Sequence, residues 1–325
     1  MVGSNALVPN TRPDNPLISV VVPVLDEEGC VLELARRVRA AMSEAGARYE
    51  IIFVDDGSRD GTAAAIQALR QSDVAIKSIR FTRSFGHQAA LVAGLQHARG
   101  DAVITMDGDL QHPAEFIPTL IEAWREGSDV VNTVRKFAAG QGMDAKERVG
   151  RLFYRVMTAL TPLSITRASA DFRLLDRRAV DAFNGLEERF VFARGLVPWL
   201  GFESVYCDYE VAERYSGTSK YGLWAMLRLA LDGIFSFSVA PLRMIALLGL
   251  ATTLFGIGFG IFSVIAHSTG RVVLGTGWTT LVVLILIFGG VQLFSIGIVS
   301  EYVGRVYEEV KRRPRFVIDS TAGFE

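Results

Sequence analysis

Short apolar runs alternate with longer amphipathic stretches between residues 17 and 134 of the chain. Each run has the length of a strand and is rich in β-branched and aromatic residues, and a stretch of helical length follows each of the first four runs. This alternation predicts an α/β fold with a mostly parallel sheet and helices on both faces. The predicted strands are residues 17–24, 49–54, 75–81, 102–106 and 129–134, and the predicted helices begin near Val31, Thr62, His87 and Pro113.

Two much longer apolar stretches follow, at residues 244–266 and 278–299. Each is long enough to cross the hydrocarbon core of a membrane, about 30 Å thick, as a helix that rises about 1.5 Å per residue. The pattern therefore predicts two transmembrane helices. Amphipathic helices on the membrane surface are also expected at residues 151–163 and 221–237, although a core helix with exposed arginines fits residues 151–163 equally well.

Glycines in both apolar stretches allow helices to approach closely. Gly256 and Gly260 are four residues apart in the first stretch, and Gly289 and Gly290 are adjacent in the second. Small residues of this kind occur where membrane helices pack tightly. We expect a homo-oligomer formed through these helices, and the alternative is packing of the two helices of one chain on each other.

The distribution of basic residues predicts the side of the membrane. Arg228 and Arg243 precede the first apolar stretch, and the loop between the two stretches, residues 267–277, contains only Arg271. The basic residues after the second stretch are Arg305, Lys311, Arg312, Arg313 and Arg315. By the positive-inside rule both flanks are expected in the cytoplasm, and the catalytic region with them.

Charge and cysteine content exclude two other classes of protein. The net charge of -1 argues against a nucleic-acid-binding protein, which usually has a strong basic excess. Cys30 and Cys207 lie far apart in the sequence and lack the spacing of metal ligands, so we expect ordinary reduced thiols.

Acidic residues follow three of the predicted strands, where ligands gather at the carboxyl ends of a parallel sheet. The first two groups are Asp26, Glu27 and Glu28, and Asp55 and Asp56. In the third group Asp107, Asp109 and Gln111 present oxygen-bearing side chains on one face of an extended segment, because successive side chains alternate. Oxygen ligands without a histidine cluster favour Mg²⁺ or Mn²⁺, which would hold a diphosphate.

Several motifs together resemble a known family. The segments VVVPVLDEEG, FVDDGSRDGT, RSFGHQAAL and ITMDGDLQHP resemble the GT-A nucleotide-sugar domain of family-2 inverting glycosyltransferases. The segments SADFRLLDRRAV, ERYSGTSKYG and EYVGRVYEEVKRRPRFVI, with the two apolar stretches, resemble the polyprenyl-phosphate glycosyltransferases, which include dolichyl- and undecaprenyl-phosphate glucosyl- and mannosyltransferases. The resemblance extends in order from Leu17 to Ile318.

The resemblance implies a role for each matching residue. The nucleoside is expected at Pro23, Glu27, Asp55 and Asp56, and the metal and the diphosphate at Asp107, Asp109 and Gln111. Arg214 and Lys220 match a mobile basic loop that closes over the phosphates. Asp171 and Arg173 match a pair at the acceptor phosphate and the reacting sugar, and with Asp109 they are the expected catalytic residues.

Some roles stay open at this point. Asp171 is either a general base or a group that orients Arg173 or the sugar, since a phosphate acceptor is already largely dianionic at neutral pH. Arg189 or Arg194 is a further candidate for the acceptor phosphate, because arginine suits bidentate contact. His87 and His112 are expected to support the site or the fold.

The sequence as a whole predicts four regions: a flexible tail (1–16), a GT-A catalytic domain with interfacial helices (17–234), a two-helix transmembrane segment (235–303) and a basic cytoplasmic tail (304–325). The predicted function is inverting transfer of one hexose, glucose from UDP-glucose, to a polyprenyl phosphate such as undecaprenyl phosphate. This reaction would take place at the cytoplasmic face of a bacterial inner membrane, for cell-envelope glycosylation, with a tetramer implied by resemblance. The alternatives are another sugar (mannose, an N-acetylhexosamine, galactose or an aminoarabinose derivative) and a non-catalytic membrane scaffold.

Overall fold

The computed structural model of the chain describes residues 12–136, 169–188, 191–210, 238–269 and 277–324. The chain divides into two compact units. The first unit consists of Met1–Thr158, Leu163–Lys220 and Pro314–Glu325, and the second of Ala159–Pro162 and Tyr221–Arg313. Within the expected tail 1–16, the described Arg12 has a side chain that is 6% exposed and donates to the carbonyl oxygens of Gly127 and Ser128.

Eight strands form one mixed sheet in the described part of the first unit. The strands are β1 (Leu17–Val24), β2 (Arg48–Asp55), β3 (Ile76–Phe81), β4 (Ala102–Thr105), β5 (Val130–Lys136), β6 (Ser169–Asp176), β7 (Ser204–Glu210) and β8 (Ile318–Ala322). Their order across the sheet is β7-β5-β6-β4-β1-β2-β3-β8. β1, β2, β3 and β4 run parallel to one another, whereas β6 is antiparallel to β4 and β5, and β8 is antiparallel to β3. The five strands predicted from the apolar runs are confirmed to within two residues at each end.

Helices cover both faces of the central strands. The helices of the first unit are α1 (Glu28–Ala45), α2 (Thr62–Ser72), α3 (His87–His97), α4 (Ile117–Arg125), α5 (Arg177–Asn184) and α6 (Ala193–Trp199). Val20 and Val22 of β1 belong to the core beneath α1 and α4, whereas Val21 between them contacts α3 at Gly94. Because alternate side chains of a strand point to opposite faces and both faces are covered, the residues of β1 are apolar except for the buried Ser19.

The C-terminal segment adds an edge strand that the hydrophobic pattern did not predict. β8 pairs with β3, and its three central residues are exposed. Phe316, just before β8, stacks on Phe81 with ring centroids 4.9 Å apart. Beyond β8, Nη2 of Arg99 donates to the carbonyl oxygen of Phe324 at 2.7 Å. Residues 318–322, near the C-terminal end of the chain, are therefore part of the same sheet as β1 to β7.

The second unit contains two long helices in its described part, α7 (Ala240–Ser268) and α8 (Trp278–Val310). The stretches Ala240–Phe262 and Ile287–Val310 are long and apolar enough to cross a membrane, with mean hydropathies of 2.1 and 1.3. The hydroxyl of Tyr302 on α8 donates to the carbonyl oxygen of Ser238, just before α7, at 2.6 Å. The expected surface helices at 151–163 and 221–237 lie outside the described residues.

The glycines of α7 and α8 face open space within this chain. A Cβ atom built on Gly256, Gly260, Gly289 or Gly290 would meet no described atom within 4 Å. Among the described atoms, these glycines therefore make no close contact between the two helices. Their role in an oligomer stays a prediction.

Candidate active site

The acidic groups that follow β1 and β2 are tied together by hydrogen bonds. The backbone N–H of Arg59 donates to Asp26 at 2.8 Å, and that of Gly61 donates to Glu28 at 3.1 Å. In the opposite direction, the N–H of Glu27 donates to the hydroxyl of Thr62 at 2.9 Å. Asp26 and Glu28 thus hold two neighbouring loops at one edge of the sheet, beside Glu27 and the buried Pro23, which are expected to contact the nucleoside.

Asp55 lies at the end of β2 with one carboxylate oxygen in use. Its Oδ1 accepts from the backbone N–H of Ser58 at 2.7 Å. Its Oδ2 is buried and has no hydrogen-bond partner among the described residues, and Nε of Arg80 lies 3.5 Å away. A buried carboxylate oxygen without a hydrogen bond is costly, so this atom is available to accept from a ligand N–H or hydroxyl.

Asp56 has a different environment, because its carboxylate holds the loop before α3. It accepts from the hydroxyl of Ser84 at 2.7 Å and from the backbone N–H groups of Phe85 at 2.6 Å and Gly86 at 3.0 Å. The same loop packs against Gly57, where a Cβ atom would come within 2.7 Å of the backbone of Arg83 and the φ angle is +77°. Only glycine accommodates this approach without strain. Asp56 thus positions this loop, and its expected contact with the nucleoside stays a prediction.

Asp107 and Asp109 lie in the loop after β4, and that loop rests on the end of β1. A Cβ atom at Gly108 would come within 2.7 Å of the side chain of Val24, so the loop could not approach β1 with a larger residue. Asp109 accepts two hydrogen bonds from Gln111, one from its backbone N–H at 3.1 Å and one from its Nε2 at 2.5 Å. The side-chain carbonyl of Gln111 is therefore the atom with which it would bind a cation.

His112 holds the same loop from beneath. Its Nδ1 accepts from the backbone N–H of Asp107 at 2.9 Å, so the ring hydrogen of the neutral form is on Nε2. The ring is 2% exposed and stacks on Phe172 of β6 at 5.2 Å, with Tyr209 of β7 at its edge. His112 thus supports the fold of the Asp107–Asp109 loop.

The donor atoms of this loop suit a cation shared with a phosphate ligand. Among the described residues, no group of three or more His, Cys, Asp or Glu side chains is arranged to hold a metal ion. Asp107 and Asp109 instead supply two carboxylates, and Gln111 supplies an amide oxygen. Mg²⁺ is typically bound by one or two carboxylates together with substrate phosphates, and Mn²⁺ also prefers oxygen ligands. The residues fit such an ion.

A second cluster is centred on Asp171 of β6, which is antiparallel to β4. Arg194 of α6 binds its carboxylate with two contacts, from Nε at 3.0 Å and from Nη2 at 2.8 Å. Arg173, two residues further along β6, has its Nη2 3.6 Å from Asp171, and both side chains are buried. The pairing of Asp171 with Arg173 expected from the sequence is thus present, and Arg194 joins it.

His87 stands between the two clusters. Its Nε2 lies 3.5 Å from Oδ1 of Asp107 and 3.6 Å from Oδ2 of Asp171. Burial alone would lower the pKa of His87, but the hydrogen bond with Asp171 and the charges of Asp107 and Asp171 outweigh it and raise that pKa. The loop with Asp107 and Asp109 and the cluster around Asp171, here called the arginine cluster, are therefore parts of one connected site.

Asp171 remains charged in this environment. Burial alone would raise the pKa of Asp171, but the contacts with His87 and Arg194 and the charge of Arg173 hold it well below its usual value. A carboxylate with so low a pKa is a weak base. The geometry therefore favours an orienting role for Asp171 over proton abstraction.

Three expected residues cannot be placed. Arg214 and Lys220 of the predicted mobile loop, and Arg189, lie outside the described residues. Sequence reasoning missed the loop contacts of Asp56 and the bridging position of His87. The segment RSFGHQAAL carried the signal, because polar residues between a strand and a helix in an α/β fold lie at the ligand-binding edge.

Comparisons with known proteins show the family of this chain. Residues 19–183 match the family Glycosyl transferase family 2, and residues 240–306 match the family GtrB C-terminal hairpin. The chain is 37% identical over 310 residues to a glycosyltransferase of Bacillus subtilis, YkcC, with 94% of each chain covered. It is 40% identical to the SfII prophage-derived bactoprenol glucosyl transferase of Shigella flexneri, covering 93% of this chain and 97% of that one.

A solved structure shares the fold. The mannosyltransferase PcManGT of Pyrobaculum calidifontis, in complex with GDP-Man and Mn²⁺, aligns with a TM-score of 0.50 at 19% identity. The alignment covers 89% of this chain and 87% of that one. At this identity the likeness shows the fold alone.

Proposed function

Because the chain belongs to glycosyltransferase family 2 and carries the GtrB C-terminal hairpin, we propose that it transfers one glucose from UDP-glucose to a polyprenyl phosphate such as undecaprenyl phosphate, with inversion, at the cytoplasmic face of the membrane. The bactoprenol glucosyl transferases that cover nearly the whole chain support the acceptor and the sugar. The observation that carries the proposal is the meeting of the Asp107–Asp109 loop with the Asp171–Arg194 cluster across His87.

The donor would bind along the carboxyl ends of β1, β2 and β4. Oδ2 of Asp55 would accept from the nucleoside, beside Glu27 and Pro23. Asp107, Asp109 and Gln111 would hold a divalent cation and through it the diphosphate. When bound, Mg²⁺ or Mn²⁺ neutralises the negative charge that grows on the departing nucleoside diphosphate. The basic loop with Arg214 and Lys220 is proposed to add to this neutralisation.

The acceptor phosphate would bind at Arg173 and Arg194. A phosphomonoester has a second pKa near about 6, so at neutral pH the attacking oxygen already carries charge and needs positioning more than deprotonation. Both arginines carry a positive charge and can make bidentate contacts with a dianionic phosphate. Asp171 would hold Arg194 in place for this contact.

Membrane anchorage suits an acceptor with an isoprenoid tail, because extracting such a tail from a bilayer costs about 0.8 kcal/mol per CH₂ group. The first unit contains chain from both before α7 and after α8. If each helix crosses the membrane once, the chain returns to the side on which it started. Both flanks of the hairpin would then lie with the catalytic unit.

A transfer screen tests the function. The purified protein is incubated with UDP-, GDP- and dTDP-sugars, Mg²⁺ or Mn²⁺, and a short-chain polyprenyl phosphate. We expect a lipid-phosphate sugar from UDP-glucose in the presence of either cation. If only another nucleotide sugar served as donor, the sugar of that donor would replace glucose in the proposal. If no donor gave a product, the proposed transfer would be wrong and the non-catalytic scaffold would be favoured.

A further inference from the structure

We propose that His87 is a positioning residue that couples the donor half of the site to the acceptor half. This inference rests on the proposed function. Its basis is that one ring nitrogen lies at nearly equal distances from a carboxylate of each half, 3.5 Å from Asp107 and 3.6 Å from Asp171. The ring therefore lies where an N–H group can bridge the Asp107–Asp109 loop and the arginine cluster.

The backbone that precedes His87 is held by a carboxylate at the end of β2. α3 begins at His87, and the two residues before it, Phe85 and Gly86, donate their backbone N–H groups to Asp56 at the end of β2. The side chain of Ser84 donates to the same carboxylate. His87 therefore projects from a loop whose backbone is held by Asp56.

The next residue extends the link to the helix that carries Arg194. Oε1 of Gln88 accepts from the backbone N–H of Ala193 at 3.0 Å, at the first residue of α6. Arg194 follows directly and binds Asp171. The start of α3 thus contacts the Asp107–Asp109 loop through His87 and the arginine cluster through both His87 and Gln88.

The two distances at His87 exceed the usual N–H···O length of about 2.7–3.2 Å. Catalytic contacts often tighten when substrates bind, and we expect His87 to approach both carboxylates in the complex with donor and acceptor. Loss of the ring would leave each ligand able to bind its own half while the two are held less accurately together.

The test compares His87→Leu and His87→Gln with His97→Leu, which places the same substitution at the other end of α3. Among the described residues, the side chain of His97 makes its hydrogen bond within its own helix, to the carbonyl oxygen of Ala93. The measurements are kcat for transfer and the Kd of UDP with Mn²⁺. We expect His87→Leu to lower kcat at least about 10-fold with UDP affinity within about threefold, because supporting groups of this kind contribute about 10–100-fold. His87→Gln, which keeps an N–H donor, should recover most of the loss, and His97→Leu should resemble the wild type.

A binding measurement separates this inference from the proposed function. UDP affinity with Mn²⁺ is measured with and without short-chain polyprenyl phosphate. In the wild type the lipid should change that affinity at least about fivefold, and in His87→Leu less than about twofold. Equal coupling in both proteins, a Gln variant as impaired as Leu, or a parallel loss of kcat and UDP affinity would overturn the role of His87. A wild type that binds both ligands but transfers no glucose would contradict the proposed function alone.

Discussion

Asp171 shows how the surroundings of one side chain select its role. A general base must gain and lose a proton near the working pH, and two arginines with a histidine keep this carboxylate ionised. Because its pKa is lowered in the folded protein, the stability that its charge contributes is present above its ordinary pKa of about 3.9 and is lost only as pH falls below that value. Between pH 5 and pH 9 its charge is therefore constant.

We predict that Asp171→Asn destabilises the protein by about 3 kcal/mol, because it removes a buried carboxylate that forms ion pairs with the buried Arg173 and the half-buried Arg194. Transfer should fall less than about 100-fold, below the range of about 10²–10⁴ for loss of a strong general base. The pH profile of kcat between pH 5 and pH 9 should keep its shape. A loss above about 1,000-fold with a changed acid limb would assign Asp171 as the base.

Asp109 provides the test of the cation site. Asp109→Ala should reduce Mn²⁺-dependent transfer at least about 100-fold and raise the Mn²⁺ concentration needed for half activity, because one of two carboxylate ligands is lost. The melting temperature should stay close to that of the wild type. Asp319→Ala, which removes an exposed carboxylate from β8, is the matched control. Full activity of Asp109→Ala would exclude the assigned cation ligands.

At the site, the sequence predicted which strand ends carry carboxylates but not all of their partners. Asp107 and Asp109 follow an apolar run, so their place at the sheet edge could be derived from periodicity. Asp56 has the same local pattern, yet its partners lie 28–30 residues further along the chain. A hydrogen bond between distant loops leaves no periodic trace in the sequence. The contact of Asp171 with Arg194 was hidden for the same reason.

Among the elements, β8 differs most from what the chain pattern predicted. Its sequence, Ile-Asp-Ser-Thr-Ala, contains three polar residues and lacks a buried face. It forms a strand because β3 offers an unpaired edge, and pairing there covers backbone groups that would otherwise favour aggregation. The apolar strands β1, β2 and β4 could be predicted because burial on both faces determines their composition.

We predict that Phe316→Ala lowers the free energy of unfolding of the catalytic unit by about 2 kcal/mol. The half-buried ring of Phe316 stacks on the buried Phe81, so its removal leaves apolar surface exposed at the sheet edge. Thermal unfolding of the purified protein measures the change. Val317→Ala, at a side chain that is 45% exposed, should have little effect. Equal melting temperatures for Phe316→Ala and the wild type would mean that the C-terminal segment does not stabilise the sheet.

At the scale of the whole molecule, the chain order constrains the topology. The catalytic unit includes residues on both sides of the two-helix segment, and the basic residues flank that segment at both ends. The family resemblance inferred from the motifs is confirmed by the matches of both regions. The oligomer expected from the glycines stays a prediction, because contacts between chains depend on surfaces that the hydrophobic pattern of one chain does not determine.

Cysteine labelling tests the orientation. In a background with Cys30→Ser and Cys207→Ser, a cysteine is placed at Thr269 after α7 or at Ser320 in β8, both exposed positions. We expect a membrane-impermeant maleimide to label the Thr269→Cys protein in intact cells and the Ser320→Cys protein only after permeabilisation. The reverse labelling pattern would place the catalytic unit outside the cell.

The most direct test of the account is the anomeric configuration of the sugar on the lipid product. Purified protein, UDP-glucose, Mn²⁺ and undecaprenyl phosphate are incubated, and the phosphate-linked glucose is examined by NMR. A single displacement at the edge of this sheet, with the attacking phosphate held opposite the departing diphosphate, predicts a β-linked glucose from the α-linked donor. An α-linked product would contradict transfer with inversion. The lack of any lipid-linked product from protein that binds UDP and Mn²⁺ would contradict the proposed transfer itself.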